Sequence, residues 1–105
     1  YDYIDHEVGV EELSGRGWRL KGHPLTWLTD LITPDWAKGL SFEELERTSV
    51  DRIETLIPHY RDRIHTWDVN NEASTAWATG GFSREQVDRF LGSVFDAARR
   101  ADPRA

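Results

Sequence analysis

The sequence predicts an α/β fold, namely an incomplete segment of a parallel (β/α)8 barrel. Helix and strand patterns alternate along the chain in the order helix, strand, helix, strand, helix. The second strand pattern runs directly into Asn70-Asn71-Glu72, and barrels place their catalytic side chains at the C-terminal ends of strands. A whole barrel needs about 250 residues, whereas this chain has 105. Residues 1–105 therefore form one partial domain in this interpretation.

The first part of the chain is predicted to hold one helix and one strand. Residues 3–14 have helical spacing, and glycines at 15 and 17 end the pattern. The apolar positions of this helix are Ile4, Val8 and Leu13. Residues 18–22 alternate as a short strand, with Trp18 and Leu20 on one side. A loop is expected from there through Thr33-Pro34-Asp35.

The second part is predicted to hold two longer helices around a strand. Ser41-Phe42-Glu43-Glu44 is a capping-box pattern that opens the first helix, and Pro58 should kink or end it. Residues 64–69 form the strand, and glycines at 80 and 81 mark the next loop. Ser83 caps the last helix, with Gln86 at its third position. The apolar side of that helix comprises Val87, Phe90, Leu91, Val94, Phe95 and Ala98.

Strands separated by helices of this length predict parallel pairing with right-handed crossovers. The pattern permits either a barrel segment or part of an open doubly wound sheet. No glycine-rich phosphate loop is present, which argues against a nucleotide site. Two strands alone leave open sheet edges, so we expect the segment to be unstable by itself.

Composition narrows the class of partner. A net charge of -6 argues against a nucleic-acid surface, and no apolar run approaches the roughly 20 residues of a membrane span. Cysteine is absent, and no local spacing indicates a metal site, so we expect no metal or cofactor. Five tryptophans and 11% aromatic residues suit a neutral polysaccharide, because sugar rings stack on aromatic faces.

Asn71-Glu72 is the first candidate site. At a strand end, the Glu72 carboxyl group could donate or remove a proton, and the Asn71 amide could hold a substrate hydroxyl. The alternative is a polar loop start in which Glu72 is only solvated.

The second candidate, Gly22-His23-Pro24-Leu25-Thr26-Trp27, directly follows the first strand. His23 and Trp27 would then lie at the same edge as Glu72 and could bind a pyranose. The alternative is a buried histidine and a core tryptophan. Asp68 lies inside a strand, where a charge is costly unless paired, so we expect it to pair with the neighbouring strand.

The remaining charged groups are expected to be structural or solvated. His65 lies opposite Asp68 by alternation and is expected to be structural or exposed. His6 and His59 are expected to be solvated, as are the charged residues of 43–52 and 60–63.

These residues resemble family 10 of the glycoside hydrolases, the endo-β-1,4-xylanases. That family carries Gly-His-Thr-Leu-Val-Trp-His at its third strand and Trp-Asp-Val-Val-Asn-Glu at its fourth. The corresponding segments here are Gly22-His23-Pro24-Leu25-Thr26-Trp27-Leu28 and Trp67-Asp68-Val69-Asn70-Asn71-Glu72. Pro34-Asp35-Trp36 and the stretch from Ala97 to Pro103 also resemble family segments.

The resemblance implies a TIM barrel that hydrolyses xylan with retention. Glu72 matches the acid/base glutamate, Asn71 its neighbouring sugar-binding asparagine, and His23 and Trp27 residues that line the -1 subsite. The chain would hold about strands three and four, with helices two to four beside them. The nucleophile would lie beyond Ala105, so these residues alone should be inactive. Family resemblance also implies secretion.

Three departures from the family pattern keep alternatives open. Leu28 replaces a histidine, Asp30 a glutamine, and Asn70 the second valine of the fourth-strand motif. A cellulase- or mannanase-like barrel, or a non-catalytic polysaccharide-binding relative, would also fit.

Overall fold

The computed structural model describes residues 4–29, 33–74 and 81–105. Three helices and four short strands lie in these ranges. In chain order they are α1 (Ile4–Gly15), β1 (Leu20–Gly22), β2 (Thr26–Trp27), α2 (Phe42–Tyr60), β3 (Ile64–Trp67), β4 (Asn70–Asn71) and α3 (Arg84–Ala101). The predicted alternation is confirmed, except that a second short strand follows each predicted one.

The four strands form one interrupted parallel ribbon. β1 pairs with β3, and β2 pairs with β4, in both cases parallel as predicted. Between the two pairs, Asp68 N–H donates to Gly22 O and Leu25 N–H donates to Asp68 O, both at 2.9 Å. The described residues therefore form two broken strands side by side, and no closed barrel.

Three of the predicted strand bounds were wrong. The sequence predicts a loop at residues 26–27 and ends the second strand at 69. In the structure, residues 26–27 and 70–71 both extend the ribbon. Pro24 has no N–H and interrupts the ladder, which resumes when Thr26 N–H donates to Val69 O at 3.0 Å. The strand predicted to begin at Trp18 begins at Leu20, and Trp18 is exposed.

Gly22 permits a close approach between the two strands. A Cβ atom built on this residue would lie 2.1 Å from Trp67 Cε3, far inside van der Waals contact. The ring of Trp67 therefore occupies the space that any other residue at 22 would need. The glycine is a packing requirement of the first strand motif.

The hydrophobic core lies between the ribbon and the two long helices. α2 and α3 pack on each other, and the largest of their completely buried side chains are Ile53, Ile57, Val87, Phe90 and Val94. Leu25, Ile64 and Val69 join this core from the ribbon. The predicted apolar side of α3 is confirmed except at Phe95, which is 52% exposed. Val8 and Leu13 of α1 are exposed as well.

Both predicted capping boxes are present. Ser41 N–H donates to Glu44 Oε2 at 2.8 Å, and Glu44 N–H donates to Ser41 Oγ at 3.2 Å. Ser83 and Gln86 make the same pair of bonds at the start of α3. α2 continues through Pro58 and ends two residues later, because a proline in the last turn removes only one helical bond.

Several charges predicted to be solvated hold the helices together. Glu46 accepts hydrogen bonds from Ser93 Oγ at 2.6 Å and from Arg89, and so joins α2 to α3. Burial raises the pKa of Glu46, but these hydrogen bonds bring it below its ordinary value. His59 lies 2.8 Å from Glu7, and Arg63 also contacts Glu7. His65 is exposed, whereas the side chain of His6 lies outside the described part of the chain.

Candidate functional site

The candidate site lies at the C-terminal edge of the ribbon. Because the strands run in the same direction, their last residues meet at one edge, where Trp27 and Asn71 are register partners. Glu72 follows directly and is exposed. The structure therefore places the indole, the carboxamide and the carboxylate predicted for the site on adjacent strand ends.

The backbone at Glu72 is unusual. Its φ is 48°, and among the described residues no other non-glycine has a positive φ. This left-handed conformation costs roughly 1–2 kcal/mol for a residue with a Cβ, and such strain concentrates at functional sites. The turn away from β4 sets the direction in which the carboxylate leaves the sheet.

His23 lies at the same edge and is held by Asp68. Its Nδ1 is 2.7 Å from Asp68 Oδ2, and Lys21 Nζ is 2.8 Å from the same oxygen. Hydrogen bonds from Lys21 and His23 lower the pKa of Asp68 below its ordinary value. The predicted pairing of Asp68 with the neighbouring strand is confirmed. His23 is exposed, which rules out the alternative of a buried histidine.

Trp27 is partly buried. Its indole Nε1 is buried and has no hydrogen-bond partner among the described residues. The side chain lines a cavity of about 300 Å³ between the segment 24–28, the segment 33–37 and α2. Trp27 therefore packs on one side and adjoins the strand-end edge on the other.

Two further polar residues at this edge, Thr26 and Asn70, are not among the site residues that the sequence predicts. These two residues are register partners and hydrogen-bond to each other, Thr26 Oγ1 lying 2.9 Å from Asn70 Oδ1. A signal was available, because each replaces a valine of the family pattern. Leu28, another departure, is buried in the core, and Asp30 lies outside the described residues.

No group of three or more potential metal-binding side chains occurs in 4–29, 33–74 or 81–105. In the same stretches, no helix combines the length and the apolar character needed to cross a bilayer.

Parallel strands crossed by helices, with a carboxylate, a carboxamide and an imidazole at the strand ends, are typical of the catalytic edge of (β/α)8-barrel enzymes. Comparison with known families identifies the enzyme family. The family model described as Glycosyl hydrolase family 10 matches residues 2–105, so the chain belongs to this family.

Known proteins agree with this assignment. The chain is 33% identical over 120 residues to endo-1,4-beta-xylanase C of Phanerodontia chrysosporium, covering 100% of this chain and 30% of that protein. Among solved structures, a family 10 xylanase of Thermobacillus composti has a TM-score of 0.77 at 28% identity, over 100% of this chain and 30% of the other. Native xylanase10C of Cellvibrio japonicus has a TM-score of 0.77 at 24% identity, over 100% of this chain and 24% of the other, a likeness of fold. The chain thus spans about a third or less of these relatives, all of them xylanases.

Proposed function

We propose that the whole protein containing this chain is a retaining endo-β-1,4-xylanase. Family membership supports this proposal, as do relatives that are named xylanases. A mutant of xylanase10C from Cellvibrio japonicus was solved in complex with xylopentaose, and its likeness to this chain is one of fold. The whole protein then acts on xylan outside the cell, as is usual for secreted polysaccharide hydrolases.

Glu72 is the general acid/base in this proposal. It protonates the leaving oxygen in the first step and removes a proton from water in the second. Its exposed position after β4 and its left-handed backbone support this role, because the side chain leaves the sheet at the strand ends.

Three neighbours bind the sugar in the -1 subsite. Asn71 donates its amide to a hydroxyl, and Trp27, its register partner, offers an apolar face. Asp68 accepts a hydrogen bond from His23 Nδ1, which leaves Nε2 to accept one from a sugar hydroxyl. The contact with Asp68 therefore orients the imidazole ring towards the sugar.

The described residues supply one of the two carboxyl groups that the mechanism needs. We assign them to strands three and four of the barrel, with helices two to four beside them. A retaining mechanism needs a second carboxyl group about 5–5.5 Å from the first, and we place it in a part of the protein outside residues 1–105. The 105 residues alone should therefore not hydrolyse xylan.

One observation carries the proposal more than any other. Trp27 and Asn71 are paired in register on parallel strands, and Glu72 follows directly. Two motifs separated by more than forty positions therefore meet at one edge of the sheet, which is what a shared sugar subsite requires.

The test is Glu72→Gln in the whole protein, measured as xylan hydrolysis. Loss of a general acid should lower turnover by roughly 10²–10⁴-fold. An aryl xylobioside with a dinitrophenyl leaving group needs little protonation, so its kcat/KM should fall far less. Glu85→Gln, at an exposed position in the first turn of α3, is the matched control and should not change turnover. Unchanged xylan hydrolysis by Glu72→Gln would remove this residue from the mechanism.

Leu28 motivates a second candidate within the same clan. It is buried in the core where the family pattern has a histidine, so a polar group is missing beside Trp27. A cellulase- or mannanase-like preference would appear as faster hydrolysis of cellulose or mannan than of xylan. A protein that binds all three polymers and cleaves none would be a non-catalytic relative.

A further inference from the structure

A polar pair lies directly beneath the strand end that carries Asn71 and Glu72. Thr26 on β2 and Asn70 on β4 are register partners. Thr26 is buried, and Asn70 is partly buried. Both positions belong to the strand motifs, yet neither is among the residues assigned to the sugar subsite.

Their side chains form a connected set of hydrogen bonds. Thr26 Oγ1 lies 2.7 Å from Val69 O and 2.9 Å from Asn70 Oδ1, so its single hydroxyl hydrogen is shared between these acceptors. The amide Nδ2 of Asn70 donates to Asn71 O at 3.2 Å. The chain of contacts thus runs from the first motif, through one side chain, to the backbone of the second.

The carbonyl oxygen of Asn71, the last acceptor in this series of hydrogen bonds, matters most. Asn71 O belongs to the peptide group that joins Asn71 to Glu72. The φ angle of Glu72 is the rotation about the N–Cα bond that follows this peptide group. A donor to this carbonyl restrains the plane from which Glu72 turns into its left-handed conformation at 48°. Such a conformation persists only where its surroundings hold it in place.

We propose that the Thr26–Asn70 pair is a positioning device for the general acid, with Asn70 fixing the Asn71–Glu72 peptide and Thr26 fixing Asn70. The inference rests on the proposed function of Glu72. Two valines at these positions would pack but could donate nothing to Asn71 O, so the restraint belongs to the pair found in this chain.

The test compares two substrates in the whole protein. Xylohexaose has a poor leaving group that needs the general acid, whereas a dinitrophenyl xylobioside does not. Because small misplacements of a catalytic group cost up to about 100-fold, Asn70→Leu should lower kcat/KM for xylohexaose by at least about tenfold. For the dinitrophenyl substrate the loss should stay below about threefold, since Glu72 contributes little there.

Further variants separate positioning from packing. Asn70→Asp keeps an acceptor for Thr26 but cannot donate to Asn71 O, and should resemble Asn70→Leu. Thr26→Val should show the same selective loss at smaller size, and Thr26→Ser, which retains the hydroxyl, should restore the wild-type ratio. Thr55→Val on α2 removes an exposed hydroxyl bonded to Asp51 O and is the matched control, with no expected change. If Asn70→Leu does not fold, the two Thr26 variants decide the question.

Each outcome is informative. A loss confined to xylohexaose supports the proposal. Equal losses on both substrates, or only a lower melting temperature, would overturn it and leave the pair a structural contact. Wild-type protein that cleaves neither substrate, or Glu72→Gln with full activity on xylohexaose, would refute the proposed function and this inference with it.

Discussion

The helix layer and the strand-end edge are built on opposite principles. Between α2 and α3, side chains such as Phe90 and Ile53 are fully buried, and the layer is held by apolar contact. At the edge, His23 and Glu72 are exposed, and order comes from individual polar contacts such as the one between His23 and Asp68. Stability and chemistry therefore reside in different places, and substitutions should separate them.

The largest expected effect lies in the helix layer. Phe90→Ala removes a fully buried ring, and such substitutions cost about 3–5 kcal/mol. Chemical unfolding of the whole protein measures this loss in the free energy of unfolding. Phe95→Ala, on the same helix but half exposed, is the matched control and should cost much less. Equal losses of stability in the two variants would mean that Phe90 and Phe95 do not differ in burial as the structure shows.

The ribbon should respond strongly at Gly22. An added methyl group meets the Trp67 ring, and overpacking of this kind costs about 1–3 kcal/mol. Gly22→Ala should therefore destabilise the protein, and xylan hydrolysis should fall too because His23 is next in sequence. Gly92→Ala, inside α3 with nothing within 4 Å, should instead stabilise it. Effects of the same sign would contradict the packing described here.

Helix caps should have a smaller effect that leaves activity intact. Ser83→Ala removes one half of a capping box and should cost about 1 kcal/mol. Xylan turnover should remain at the wild-type level, since the cap bonds of Ser83 are made with Gln86 and not with a residue of the candidate site. Ser14→Ala, which removes an exposed hydroxyl, serves as the control for the change itself. A loss of turnover in Ser83→Ala would show that the layer and the edge are coupled.

The smallest effect on stability concerns Asp68 and depends on pH. Because the pKa of Asp68 is lowered in the folded protein, its contribution is full above the unfolded pKa of about 3.9 and disappears as pH falls through the folded value. Wild type should thus exceed Asp68→Asn in stability from pH 5 upward, and the two should converge in more acidic solution. Asp96→Asn, an exposed carboxylate on α3, reports the effect of losing one charge. A difference that grows towards low pH would contradict the assignment.

Regular spacing and capping chemistry made most of the fold predictable. The start of α3 follows from Ser83 and Gln86, and its buried side largely follows from the apolar repeat, as the structure confirms. Parallel pairing also followed from the lengths of the connecting helices. β2 and β4 could not be predicted, because each has only two residues and Asn70-Asn71 is also too polar for a strand pattern. Their mutual pairing is what makes them strands.

The candidate site was predictable where it rests on local motifs. His23, Trp27, Asn71 and Glu72 stood out because they follow strand patterns, and the structure puts them on adjacent strand ends. Contacts between distant positions were not predictable to the same degree. The hydrogen bond between Thr26 and Asn70 joins residues 44 positions apart, and nothing in either local pattern specifies the register that makes it.

The most direct test is a crystal structure of the whole protein carrying Glu72→Gln with a xylo-oligosaccharide bound across the strand ends. If Glu72 is the general acid, the side chain at 72 should lie within about 2.6–3.2 Å of the glycosidic oxygen, with His23, Trp27 and Asn71 around the sugar on one side of it. A second carboxyl group should lie on the opposite face of that sugar. An oligosaccharide bound elsewhere, or a side chain at 72 that points away from the scissile bond, would contradict it.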